Sequence, residues 1–334
     1  MERIKDIGEF DLITRLENIL GKSITQNPGG IHLSIGDDTA VLNPQEDIQL
    51  LTTDTMVENV HFLPGITSMK DLGWKSIASN YSDVASMGGR PLSVVITLGL
   101  KPNQYVKDVE DIYHGVRDHC SNYGGYIVGG DIVRSETFFI SVTVLGVNES
   151  KTFMSRTNAS PGDQIAVTGE IGSAAAGLEL LSHGKTATHN IPSQFIAAHN
   201  RPIPKIQAGT KLLESGVKTA MDISDGLVGD LMKICHSSDV SATIELDRIP
   251  INRDLKNYFP DDWLKLVLGG GEDYELLFTA PEHVMTCLPD DVKGSSTIIG
   301  TINNGPPEVI LSDVNGNRHT TGDIGWDHFQ TLKS

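Results

Sequence analysis

The sequence predicts a two-domain α/β (α+β) protein. Three observations carry this expectation. Apolar, β-branched runs alternate with stretches of helical spacing, the length of 334 residues suits two domains of ordinary size, and a polar segment ending in Pro-Gly breaks the pattern at residues 150–162. The domains are therefore expected at residues 1–150 and 151–334.

Ile7, Phe10, Leu12, Ile13, Leu16 and Leu20 recur at helical spacing, so residues 6–20 are expected to form a helix. Residues 48–57, 92–100 and 137–147 are rich in Val, Ile, Leu and Thr and read as strands. Between them, residues 70–87 place Trp74, Ile77, Ala78, Tyr81, Val84 and Ala85 on one helical face, and Gly88-Gly89 ends the run. Residues 104–121 form the second intervening helix. In the C-terminal half, strands are expected at 164–168, 217–222, 242–247, 275–279 and 296–301. Helices are expected at 172–183, 203–215 and 225–236, and a hairpin over 308–321 turns at Val314-Asn315-Gly316-Asn317.

The formal net charge of −17 argues against nucleic acid and anionic membranes as partners. It also repels a polyphosphate unless metal ions mediate the contact. Cys120, Cys235 and Cys287 show no zinc-site spacing and read as reduced thiols. The first ten residues lack the apolar stretch of a secretion signal, and no 18-residue apolar run occurs, so a cytoplasmic protein is expected.

Several familiar signatures are missing. Gly21-Lys22-Ser23 imitates the end of a phosphate-binding loop, but the glycine that pattern needs five residues before Gly21 is Leu16. No G-x-G-x-x-G, H-E-x-x-H or G-x-S-x-G occurs. What remains is a series of acidic residues beside glycine or at strand ends. They are Asp37 and Asp38, Asp54, Asp83, Asp131, Asp222, Asp225, Glu272 and Asp273. Any one of them could simply make a turn or cap a helix. As a set they point to Mg²⁺ and a polyphosphate, because Mg²⁺ takes a few carboxylates together with phosphate oxygens and water.

The strand–helix junction around Asp222-Ile-Ser-Asp225 places Ser224 at or near a helix N-cap, where N–H groups await either a phosphate or a capping oxygen. Gly269-Gly270-Gly271 is either a plain turn or a flexible loop that lets Glu272 reach a ligand. Arg156 is either a solvated side chain or a fork for phosphate oxygens. His61 alone reads as structural. Trp326 reads as a packing anchor or as a face for a cationic ring.

Taken in order, G-E-F at 8–10, S-I-G-D-D-T-A at 34–40, T-T-D-T-M-V at 52–57, H-F-L-P at 61–64, N-Y-S-D-V-A-S-M-G at 80–88, G-G-D at 129–131, S-D-G-L at 224–227, G-G-G-E-D-Y-E-L at 269–276 and G-W-D-H-F at 325–329 resemble the thiamine-monophosphate kinase family. That family is similar in fold to aminoimidazole ribonucleotide synthetase. The resemblance implies an N-terminal domain that binds ATP and Mg²⁺ and forms a homodimer through its sheet, with a C-terminal α/β domain completing the active site. It implies ATP-dependent phosphorylation of thiamine monophosphate to the diphosphate, assisted by several Mg²⁺ ions.

Carried onto this sequence, it implies Asp37, Thr52, Thr53, Asp54, Asp83, Asp131, Asp222 and Asp225 as metal ligands. Tyr123, Gly130, Asp131, Arg156 and Ser224 would contact ATP, and His61, Glu272 and Trp326 the thiamine phosphate. Asp54, Asp222 and Arg156 would carry catalysis. Because the acceptor is already a phosphate oxygen, direct in-line transfer without a phospho-enzyme is expected. The alternatives are another ATP-dependent synthetase of the same superfamily, or a regulator that binds nucleotide and metal without turnover. Selenophosphate-type chemistry is disfavoured, since no cysteine precedes Cys120.

Overall fold

The structure is a computed structural model that describes residues 2–7, 9–25, 31–33, 41–42, 47–183 and 193–320. The chain divides into two compact units, the first Met1–Val84 with Gly89–Lys151, the second Ala85–Gly88 with Thr152–Ser334.

In the first unit, the described N-terminal helical residues are α1 (Ile4–Ile7) and α2 (Glu9–Leu20), followed by α3 (Lys22–Thr25). A two-stranded antiparallel pair, β1 (Ile31–Leu33) and β2 (Val41–Leu42), precedes the main sheet. That sheet is built from β3 (Ile48–Val57), α4 (Met69–Ser86), β4 (Arg90–Leu100), α5 (Val106–Tyr123), β5 (Tyr126–Arg134) and β6 (Phe139–Asn148), with strand order β3-β6-β4-β5. Only β4 and β5 run parallel, joined across α5 as a parallel pair requires.

The period-2 alternation of these strands decides the faces. Val94, Ile96 and Leu98 of β4 and Ile140, Val142 and Val144 of β6 are all buried. The opposite face carries Leu51, Val95 and Val133, which are 74%, 38% and 39% exposed. Helices α4 and α5 cross closely because each presents a glycine to the other. A Cβ on Gly73 would lie 2.0 Å from the Ile112 carbonyl oxygen, and one on Gly115 would lie 1.9 Å from that of Lys70.

The second unit contains β7 (Gln164–Thr168), α6 (Ser173–Ser182), α7 (Ser193–Asn200), α8 (Ile206–Glu214), β8 (Thr219–Asp222), α9 (Leu227–Ser238), β9 (Ser241–Glu245), α10 (Leu255–Tyr258), α11 (Trp263–Gly269), β10 (Leu276–Ala280), α12 (Glu282–Thr286), α13 (Asp290–Ser295), β11 (Ser296–Asn303), β12 (Glu308–Ser312) and β13 (Arg318–Thr320). Its strands form a sheet of order β13-β12-β9-β11-β7-β10-β8, antiparallel except where β12 meets β9.

Both faces are covered. Ile165, Val167, Met221 and Leu277 pack with Leu227, Leu231 and Ile234 of α9. The alternate residues Ala166, Ala220, Leu276 and Phe278 pack with Leu212 and Leu213 of α8 and with Met285 and Val292. The three cysteines are free. Among the described residues no helix is long and apolar enough to cross a membrane.

Candidate active site

In the first unit, alternation along β3 turns Thr52 and Asp54 to the same side as the buried Leu50 and Met56. There the Thr52 hydroxyl donates to Asp83 Oδ2 on α4 at 2.6 Å. Thr53 points the other way. Its hydroxyl donates to the Val142 carbonyl at 3.0 Å and accepts from Thr143 Oγ1 at 3.0 Å.

Residues opposite one another in neighbouring strands share a face, so the pairings Asp54↔Val142, Ile96↔Val142 and Ile96↔Gly130 draw one row across the sheet. Gly130 therefore lies on the row of Asp54 at the far edge strand. Asp131 belongs to the next row, with Thr97, Ser141 and Thr55, on the exposed face. Thr52, Asp54 and Asp83 are brought to one face, while Thr53 and Asp131 are not. Gly130 has a reason of its own: a Cβ there would meet the Ile96 carbonyl oxygen at 2.1 Å.

His61 follows β3 in a turn, and its Nδ1 accepts the Val57 N–H at 3.1 Å. In the neutral ring that bond leaves the proton on Nε2. Tyr123 ends α5 and packs its ring on His119 and Trp74, with centroids 4.8 and 5.9 Å away. Asp37 and Trp326 lie outside the described residues.

In the second unit, Asp222 closes β8 and is buried, and Ser224, Asp225 and Gly226 turn the chain into α9. The N-cap is Gly226, at φ 114°, and Ser224 does not cap the helix. No side chain caps α9; an oxygen from within the helix instead holds the turn that precedes it. Oδ2 of the buried Asp230 accepts the backbone N–H groups of Ser224 at 2.9 Å and Asp225 at 3.0 Å. Those two N–H groups are thus spent on a carboxylate of the chain itself. Lys233, one turn on, donates to Asp230 Oδ1 at 2.7 Å and also to Asp225 Oδ2. Asp230 and Lys233 were not singled out from sequence, although Asp-x-x-Lys on a helix starting at Asp225-Gly226 carries the spacing of this pair.

The glycine triplet is explained by backbone approach. A Cβ on Gly271 would lie 2.3 Å from the Ser224 carbonyl oxygen, and one on Gly226 would lie 2.8 Å from the Gly269 carbonyl carbon. The segment after it is pinned to the same turn. Glu272 N–H donates to the Ser224 carbonyl at 2.9 Å and Tyr274 N–H to that of Ile223 at 2.9 Å, with both residues at positive φ, 67° and 50°. Glu272 Oε2 sits 3.4 Å from Nδ1 of the buried His199 on α7.

Asp273 accepts the N–H groups of Gly172 and Ala174 at 2.6 and 2.9 Å, closing the start of α6. The residue is half-buried but its carboxyl is enclosed, and burial pushes its pKa up to about 7 against the pull of those two N–H groups. Glu275 is likewise raised by burial, offset by Lys205 at 2.9 Å and the Thr168 hydroxyl at 2.6 Å. A cleft of ≈ 370 Å³ beside these groups is lined by Glu170, Gln194, Arg201, Lys205, Asp273 and Glu275, among others. Arg156 is exposed, and its carbonyl accepts the Ser238 hydroxyl at 2.7 Å.

The candidate metal ligands offer only carboxylate and hydroxyl oxygens, a hard donor set that suits Mg²⁺ and excludes softer metals. Among the described residues no group of three or more His, Cys, Asp or Glu is placed to hold a metal ion by itself. An ion that keeps several waters and takes most of its remaining ligands from phosphate needs no such group.

Family models for AIR synthase related proteins match both halves, the N-terminal domain over residues 36–148 and the C-terminal domain over residues 160–311. The thiamine-monophosphate kinase of Aquifex aeolicus (strain VF5) is 36% identical over 330 residues, covering 98% of this chain and 100% of that protein. The crystal structure of thiamine-monophosphate kinase from Stenotrophomonas maltophilia K279a is 33% identical with a TM-score of 0.81, covering 94% of this chain and 98% of that one. The structure of AaThiL complexed with AMPPCP and TMP is 35% identical with a TM-score of 0.77, covering 98% and 99%.

Proposed function

The chain belongs to the thiamine-monophosphate kinase family, and from that membership we propose that it moves the γ-phosphoryl group of ATP onto thiamine monophosphate, releasing thiamine diphosphate and ADP. The observation that carries this is near-full-length similarity to a protein solved with an ATP analogue and TMP. The oxygen-only donor set described above is what that chemistry asks for.

The acceptor is a phosphate oxygen, already nucleophilic at neutral pH, so the protein needs no strong general base. Its work is to position two phosphorylated ligands and to offset their charge. Thr52, Asp54 and Asp83 in the first unit and Asp222 and Asp225 in the second would hold Mg²⁺, with Asp37, Thr53 and Asp131 completing the proposed set. Bound Mg²⁺ would supply charge neutralisation on the phosphate oxygens. Arg156 would fork onto the same oxygens. Tyr123, Gly130 and Ser224 are proposed ATP contacts. His61, through Nε2–H, Glu272 and Trp326 would orient the thiamine phosphate.

The exposed sheet face bearing Leu51, Val95 and Val133 supports a homodimer formed through that sheet. A cytoplasmic site of action fits the composition. An assay of ADP release with and without thiamine monophosphate tests the proposal. Release that depends on the thiamine ester supports it. Release without the ester points to another synthetase reaction, and no release in either condition points to a binding protein.

A further inference from the structure

Asp230 has no exposed surface, yet the reaction assigns it no part. It stands in the first turn of α9, where its two oxygens are divided between two tasks. Oδ2 takes the N–H groups of Ser224 and Asp225, and Oδ1 takes the Lys233 ammonium. The same ammonium reaches Asp225 Oδ2, so one cation bridges two carboxylates. The side chains of Lys233 and Asp225 are 38% and 33% exposed, whereas that of Asp230 is 0%. The pair with Asp230 is therefore an anchor, and the contact with Asp225 is the one that solvent and ligands can reach.

We propose that Lys233 is a positioning residue, the resident counter-ion of Asp225, and that it sets how tightly this part of the site takes a divalent cation. The inference rests on Asp225 being a metal ligand. A cation arriving at Asp225 must share or displace the ammonium on that carboxylate. Lys233 loses little in yielding it, because the buried Asp230 keeps hold of the ammonium. Asp230 in turn is a buried carboxylate that needs its partner, since a lone buried charge is costly. The turn geometry and the competition for Asp225 are thus built from one network.

Removing the ammonium leaves Asp225 with more negative potential, so a divalent cation should bind more tightly. The partial exposure of both groups limits the gain to a few-fold.

The test uses the full-length protein and Mn²⁺ alone as the probe, followed by electron paramagnetic resonance. The variants are K233M, K233R and D225N, with K233Q as a second uncharged form and thermal melting to show that each is folded. K233M and K233Q are expected to lower the Mn²⁺ dissociation constant about two- to fivefold, K233R to match wild type, and D225N to raise it. The Mg²⁺ concentration giving half-maximal ADP formation should fall in K233M. If D225N weakens Mn²⁺ binding while both uncharged Lys233 variants leave it unchanged or weaker, the counter-ion role is overturned. If D225N leaves Mn²⁺ binding unchanged, Asp225 is no ligand, and the proposal fails for that separate reason.

Discussion

Replacing Asp273 by Asn should change how the stability of the protein depends on pH. The carboxyl of Asp273 faces the N–H groups of Gly172 and Ala174 at 2.6 and 2.9 Å, inside a protein environment that raises its pKa from 3.8 to about 7. With the pKa raised, the folded protein keeps the proton to higher pH than the unfolded chain. The associated stability is complete below about pH 4 and is lost as pH climbs toward 7. Between pH 5 and pH 7 the loss amounts to about 2 kcal/mol, from 1.36 kcal/mol per pH unit with the approach to the upper pKa allowed for.

Asn cannot titrate, and its amide offers one acceptor where two N–H groups wait, so it also costs about 1 kcal/mol at any pH. Urea unfolding of wild type and D273N at pH 5 and pH 7 cancels the contribution of every other titrating group. Wild type should be the more stable at pH 5, and its lead should shrink by about 2 kcal/mol at pH 7, or about 4–8 °C in melting temperature for a unit of this size. A lead that stays constant or grows from pH 5 to pH 7 would mean that the carboxylate is ionised throughout and that the helix N–H groups outweigh burial.

Three other perturbations follow from particular contacts. His119 is buried among Trp74, Tyr81 and Tyr123, neither of its ring nitrogens has a partner among the described residues, and burial lowers its pKa from 6.5 to about 3. The unfolded chain therefore takes up the proton first as pH falls below 6.5, so H119F should stabilise by about 1 kcal/mol at pH 7 and about 2 kcal/mol more at pH 5; urea midpoints that fall at pH 5 would contradict this. Gly271→Ala puts a methyl 2.3 Å from the Ser224 carbonyl oxygen and should cost about 1–3 kcal/mol along with activity, whereas Gly294→Ala, with open space around it, should fold normally in the same melting assay. Leu51→Arg, on the exposed sheet face, should give a monomer in sedimentation equilibrium, and an undiminished dimer would place the interface elsewhere.

Elements with a strong period were legible in the sequence. The run 48–57 is β3, the helix expected at 70–87 spans Met69–Ser86, and the hairpin turns between Ser312 and Arg318. Helix α7, Ser-Gln-Phe-Ile-Ala-Ala-His-Asn, went unseen because eight residues show too little period, and α10 to α13 are shorter still.

For the candidate site, residue types could be read but their partners could not. The aspartates stand out beside glycine. That Thr52 rather than Thr53 meets Asp83 depends on which face of β3 turns toward α4. Ser224 reads as a residue at or near the cap, but the N-cap falls at Gly226, and Asp230 reaches back from inside the helix to hold the N–H groups of Ser224 and Asp225. The glycine triplet reads as a plain turn or a flexible loop, while the structure shows Gly270 and Gly271 packed too tightly against the Leu266 and Ser224 carbonyls for a side chain.

A single-turnover experiment with γ-labelled ATP, thiamine monophosphate and Mg²⁺ tests most directly whether acidic side chains and magnesium carry this reaction. The label should pass straight into thiamine diphosphate, with none trapped on the protein, and D54N and D222N should slow the transfer by about 10²-fold or more. Labelled protein formed with ATP alone, or wild-type transfer rates in both variants, would contradict the account.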